Sequence, residues 1–112
     1  MATWFEEYLA SWESGEVANV TAWVTDDVAF EDVGAGHKLN GKTAMAAFVL
    51  ASFKAVPDAR FDFVGGAELG DSYFMEWVMQ PVGIRGVSVG TRRGGKIATN
   101  RDYWNGKLLN LG

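Results

Sequence analysis

The chain has no cysteine and one histidine, His37, among 112 residues. Without thiols there are no disulfides, no cysteine nucleophile and no thiolate metal site. One imidazole argues against a histidine-based metal centre or a serine–histidine triad, so neither metal nor cofactor is expected. No apolar run approaches the ~18 residues of a membrane-spanning helix. The N-terminus lacks the basic-then-apolar layout of a secretion signal, so a soluble, cytoplasmic protein is expected. Positive charge is also scarce: ten Lys and Arg stand against fourteen Asp and Glu, for a net charge of −4. The basic residues gather only at Arg92, Arg93 and Lys96 around a glycine turn, which reads as a solvated hairpin tip. Nucleic-acid binding, which needs a basic face, is not expected.

Large rings, by contrast, are abundant. Five tryptophans and seven phenylalanines, in a sequence that is 48% hydrophobic, suffice to bury a core. The length suits one domain, 1–112. Thr3-Trp4-Phe5-Glu6 has the form of a capping box, and Phe5, Leu9 and Trp12 follow at helical spacing. Ser14-Gly15 ends that helix. A short second helix is predicted from about Glu16 to Val24. Thr25-Asp26-Asp27 reads as a turn, and Val28 to Asp32 as a strand. Gly34 to Gly41 reads as a loop. A third helix is predicted from Lys42 to Lys54 and is stopped by Val56-Pro57-Asp58. Four strands follow in succession, at about Arg60–Glu68, Ser72–Gln80, Ile84–Thr91 and Ile97–Asn105. Gly70-Asp71 and Arg93-Gly94-Gly95 supply hairpin turns, and Gly65-Gly66 marks a bend or bulge. Gly83, Gly86 and Gly90 precede no helix, so they form no phosphate loop and read as strand-bending positions. Helices kept to one side of an antiparallel meander make an α+β domain.

The last strand carries the chemistry. In period-2 geometry Asn100, Asp102 and Trp104 share one face, while Ile97, Thr99, Arg101 and Tyr103 share the other. A carboxylate beside an indole is either a solvated charge or a buried acid with a raised pKa.

Three segments carry a resemblance that spans essentially the whole chain. They are Trp23-Val24-Thr25-Asp26-Asp27-Val28-Ala29-Phe30-Glu31-Asp32, then Leu39-Asn40-Gly41-Lys42, then Gly95-Lys96-Ile97 followed by Arg101-Asp102-Tyr103-Trp104. In this order and spacing the chain resembles the nuclear transport factor 2-like superfamily, and within it the SnoaL-like group of polyketide cyclases and ketosteroid isomerase-like proteins. The resemblance implies a cone: a curved, mostly antiparallel sheet with three helices in the N-terminal half enclosing an apolar pocket, the cystatin-like α+β roll. It also implies a homodimer joined through the sheet face, to which the outward Phe74 would contribute. Ketosteroid isomerases abstract a proton with an aspartate and hold the oxyanion with a tyrosine and a protonated acid. Asp32 and Tyr8 are similar to the first two, and Ser88, a weaker donor, stands where the acid would fall. Limonene epoxide hydrolases have an Arg-Asp-Tyr motif similar to that around Asp102, but Trp77 and Met79 replace the partners that activate water. SnoaL-like cyclases rely on one pocket aspartate, and Asp102 suits that pattern best.

Each candidate also has a structural reading. Asp102 is a pocket acid/base walled by Trp104, or a carboxylate paired with an arginine. Asp32 contacts substrate, or caps the Gly34 turn. Tyr8 donates a hydrogen bond to a ligand, or packs as a core aromatic. His37 lies at the pocket mouth, or on the surface. Tyr73, Met75, Trp77 and Met79 alternate along one strand face as pocket wall or core. Asn100 and Ser88 complete the set of expected substrate contacts. Three functions follow: an enzyme that uses Asp102, with Asp32 and Tyr8, to move a proton on an apolar, cyclic ligand; a non-catalytic binder of an apolar small molecule; or a dimerisation domain with a vestigial cavity.

Overall fold

The computed structural model describes residues 3–109. The elements run α1 (Trp4–Ser11), α2 (Val17–Thr21), β1 (Val24–Asp32), β2 (His37–Asn40), α3 (Lys42–Ala55), β3 (Arg60–Leu69), β4 (Ser72–Gln80), β5 (Ile84–Arg93) and β6 (Lys96–Trp104), with a 3₁₀ turn at Gly106–Leu109. One six-stranded sheet has the order β2-β1-β6-β5-β4-β3. All its pairings are antiparallel except β1 with β6, which run parallel. The predicted α+β roll is therefore the observed one: a curved, mostly antiparallel sheet with its helices in the N-terminal half. No described helix is long and apolar enough to cross a membrane.

Aromatic contacts tie the helices to the inner face of the sheet. Phe5 of α1 stacks on Phe63 of β3 with ring centroids 5.7 Å apart, and Trp4 meets the edge of Tyr73 on β4 at 5.0 Å. At the other end Trp12, Phe30 and Phe48 form a triangle with centroid separations of 6.0–6.3 Å. Between these groups lie the fully buried Val20, Val24, Val28, Met45, Val49, Met75 and Ile97. Offset and edge-on ring pairs of this kind stabilise by about 0.5–1.5 kcal/mol each beyond their buried area.

Local propensity is overruled at several places. Thr3 precedes α1 in extended conformation but makes no side-chain cap bond, so the capping box does not form. The second helix stops at Thr21, and the strand predicted from Val28 begins at Val24. Thr25-Asp26-Asp27 is therefore not a turn but the bulged start of β1, where the pairing with β6 shifts register. Its two acids face outward, Asp26 pairing with Lys42 and Asp27 with Arg93. The Gly34–Gly41 segment contains a strand, β2, held by β1 through the pairs from Ala29↔Asn40 to Asp32↔His37. The Gly65 bend is a true bulge, with the register shifting between Phe63 and Gly65. Another shift, between Thr91 and Arg92, leaves Ala98 unpaired with β5 and turns Ile97 into the core, against the strict alternation expected of β6. The basic tip folds back on the body. Arg92 lies 4.2 Å over the Trp4 ring, and Lys96 donates to the Ala22 carbonyl.

Candidate functional site

Between α1, α3 and the inner face of the sheet lies a cavity of about 300 Å³. Its lining includes Tyr8, Leu9 and Trp12 from α1 and its end, Asp32 from β1, His37 from β2, and Phe48, Ala51, Ser52 and Ala55 from α3. Phe61, Trp77, Met79, Ser88, Asp102 and Trp104 come from the later strands. Small residues on one face of α3 leave the room that a bulkier stripe would have filled. Those alanines are a signal that the sequence reading, fixed on Met45, Phe48, Val49 and Phe53, passed over.

The structure brings Asp102, Asp32, Tyr8, Trp77, Met79, Ser88, His37 and Trp104 to this one cavity. Three of the sequence candidates lie elsewhere. Tyr73, Met75 and Asn100 are buried deeper in the core, because β4 and β6 run past the floor of the cavity toward the narrow end of the cone. Their side chains do not line it. Asn100 nevertheless bears on it through Asp102.

Asp102 accepts two hydrogen bonds, both on Oδ1: from Ser88 Oγ at 2.6 Å and from Asn100 Nδ2 at 2.7 Å. The direction of each follows from what lies behind it. Trp77 Nε1, which can only donate, gives its proton to Ser88 Oγ at 2.9 Å, so the serine hydrogen is free for Asp102. Tyr73 donates its hydroxyl hydrogen to Asn100 Oδ1, so the amide nitrogen faces Asp102. Oδ1 is thereby fixed as an acceptor, and any proton held by Asp102 sits on Oδ2. That oxygen has no partner among the described residues and faces the open volume.

Burial pushes the Asp102 pKa from 3.8 to about 6. The two donors on Oδ1 pull it down, and the Asp32 charge pushes it further up. Asp32 and Asp102 are partners across the parallel β1–β6 ladder. Their backbones are thus about 4.8 Å apart, and the side chains leave the same face. Asp32 Oδ1 accepts from Trp104 Nε1 at 2.6 Å and from the Ala35 amide at 3.1 Å. The expected capping of the Gly34 turn is therefore real, but it involves only one oxygen of an acid that also lines the cavity. The Trp104 indole N–H serves Asp32, while its ring walls the site. No arginine pairs with Asp102: the described ion pairs are Lys42–Asp26, Arg92–Glu68 and Arg93–Asp27. Arg101 lies on the outer face and donates to the Tyr103 hydroxyl.

Tyr8 is only 2% exposed. Burial, and next the charge of Asp102, push its pKa far above the ordinary phenol value, so it stays protonated as a donor. His37 is exposed at the mouth, with its ring 5.8 Å from Phe48.

Two glycines shape the site in a way that strand bending does not explain. A Cβ at Gly86 would lie 2.2 Å from Trp77 Cη2, and a Cβ at Gly34 would lie 2.5 Å from the Trp104 indole. The first glycine lets the Trp77 ring lie flat on β5 and reach Ser88. The second lets the Trp104 ring lie over the β1 turn and reach Asp32. Deeper in the core, Gly90 makes room first for the Thr99 carbonyl of β6, which would be 2.0 Å from an added Cβ, and then for the Tyr73 hydroxyl at 2.8 Å. In sequence these glycines carry no mark of which ring they seat.

A family model, the SnoaL-like domain, matches residues 5–100. The chain belongs to the SnoaL-like family. Its solved relatives include a Catenulispora acidiphila protein with a ketosteroid isomerase-like fold in complex with trimethylamine (TM-score 0.81, 15% identity, 87% of this chain and 81% of that one). A SnoaL-like protein of unknown function from Burkholderia thailandensis aligns with TM-score 0.79 at 13% identity over 93% of this chain and 98% of the other. An Agrobacterium tumefaciens protein, provisionally named an isomerase of the SnoaL-like family, aligns with TM-score 0.76 at 19% identity over 89% and 92%. At these identities the likeness shows the fold alone. No curated protein matches the sequence.

Proposed function

We propose that this SnoaL-like chain is a small-molecule enzyme of the isomerase or cyclase type, acting on an apolar, cyclic ligand, with Asp102 as the acid/base. The observation that carries this reading is the single free oxygen of Asp102: Oδ2 of a carboxyl raised to about 6, facing an aromatic cavity. A group with a pKa near the working pH can take a proton from carbon or oxygen and return it. Tyr8 donates to the oxygen on which charge develops, and Asp32 lies beside the reacting group. Side chains alone supply these steps. Trp12, Phe48, Phe61, Trp77 and Trp104 surround the ligand and exclude water.

The direct test is a ¹³C titration of the Asp102 carboxyl, followed by turnover assays of Asp102→Asn on ligands found by thermal shift and tryptophan quenching. A carboxyl titrating near 4 sinks the acid/base role. Asp102→Asn that binds a ligand normally and still turns it over does the same.

A second reading, a non-catalytic binder in the same cavity, is favoured by Ser88. Its hydroxyl hydrogen already goes to Asp102 and is not free for an oxyanion. We also read the chain as one domain that pairs with a second copy through the outer sheet face, where Phe74 is 50% exposed and its cross-strand partner is Val89. Sedimentation of the wild type and of Phe74→Arg tests this: a monomeric wild type refutes the pairing.

A further inference from the structure

The charged side chains lining the cavity beneath its mouth are both acids. Asp32 and Asp102 lie side by side, no lysine or arginine lines the volume, and among the described residues neither acid has an ion-pair partner. In each, Oδ1 takes the internal hydrogen bonds and Oδ2 takes none from the described residues. Two carboxylates side by side in a largely apolar wall repel each other, and a cation between them offsets that repulsion. A third polar group stands beside them. Tyr8, 2% exposed, lines the cavity near Asp102, with the Trp12 side chain bonded to its oxygen and its hydroxyl hydrogen given to no acceptor among the described residues. Around them stand Trp12, Phe48, Phe61 and Trp104, whose ring faces attract cations.

We propose that the ligand is a small alkylamine bound as its ammonium, whose N–H groups donate to Oδ2 of Asp32, leaving Oδ2 of Asp102 for proton transfer, while its hydrocarbon part packs on the aromatic wall. This rests on the cavity being the ligand site, as read above, and adds the charge of what enters it. An ammonium supplies several donors to a site whose open oxygens are acceptors, and it brings the positive charge that the lining lacks. A ligand carboxylate would meet two like charges and no compensating base. A cavity of about 300 Å³ lies at the small end of ligand sites, which suits one ring or a short branched chain on the amine.

The experiment compares three ligands that share one ring: cyclohexylmethylamine, cyclohexylmethanol and cyclohexanecarboxylate. Each is titrated calorimetrically into the wild type at pH 7.5. The amine is expected to bind about 10- to 100-fold tighter than the alcohol, the range for a charge-assisted hydrogen bond, with the carboxylate weakest. Asp32→Asn keeps an oxygen for Trp104 and the Ala35 amide. It is expected to remove about tenfold of the amine's affinity while leaving the alcohol within about threefold of wild type. Alcohol or carboxylate binding as tightly as the amine overturns the amine assignment and leaves the cavity standing as a ligand site. Binding of none of the three overturns the assignment and counts against the ligand site as well. Equal loss of amine and alcohol in Asp32→Asn also overturns it, because the carboxylate would then act through packing.

Discussion

Asp102→Asn should make the folded protein more stable at neutral pH, and the gain should depend on pH in a defined way. The carboxyl is moved from 3.8 to about 6, chiefly by burial. At about 1.4 kcal/mol per pH unit, the folded state penalises the ionised form by about 3 kcal/mol. Between pH 4 and 6 the folded chain holds a proton on Asp102 that the unfolded chain has already released. Wild-type stability therefore falls as pH rises through this window, and the loss from this group is complete once the folded pKa is passed. Asparagine is neutral throughout, and its oxygen can still accept from Ser88 and Asn100 in place of Oδ1. The difference in unfolding free energy, variant minus wild type, should be near zero at pH 4, rise through pH 5 and 6, and level off above 7 at up to about 3 kcal/mol. Urea denaturation of both proteins at half-unit steps from pH 4 to 8 measures it, and contributions from titrating groups that do not interact with Asp102 cancel in the difference. A difference that does not change with pH, or one that falls as pH rises, would refute the burial argument.

Gly86→Ala puts a methyl where the Trp77 ring lies, so the indole must leave Ser88. We expect a loss of about 1–3 kcal/mol and a changed near-ultraviolet tryptophan spectrum, and an unchanged spectrum would contradict the packing described. Trp104→Phe removes the indole donor from the nearly buried Asp32 and should cost about 1–3 kcal/mol by thermal or urea unfolding; wild-type stability would mean that this bond contributes nothing. Tyr8→Phe removes a hydroxyl whose one internal partner is the Trp12 side chain, so stability should change by about 1 kcal/mol or less while ligand affinity or turnover falls about tenfold. A large loss of stability with function intact would reverse that assignment.

The spacing of apolar residues was enough to define the class of this fold. Phe5, Leu9 and Trp12 announce a helix, and alternation through Tyr73, Met75, Trp77 and Met79 announces a strand, because each pattern reports a local geometric period. Asp102 was also legible, as an acid on the alternating face of the last strand. Three things could not be read locally. The pairing of β1 with β6 drew Thr25-Asp26-Asp27 into a strand and put Asp32 beside Asp102, although 69 residues separate them in sequence. The bulge at Ala98 turned Ile97 inward, and bulges are set by the partner strand. The direction of every hydrogen bond on Asp102 depended on Trp77 and Tyr73, two side chains seated by glycines on a neighbouring strand. Sequence determined which residues were apolar, which were acidic, and the period at which they recur. Which acid lost its water, which oxygen stayed free and which ring stood beside it were decided by contacts between distant strands, where burial and the local dielectric arise.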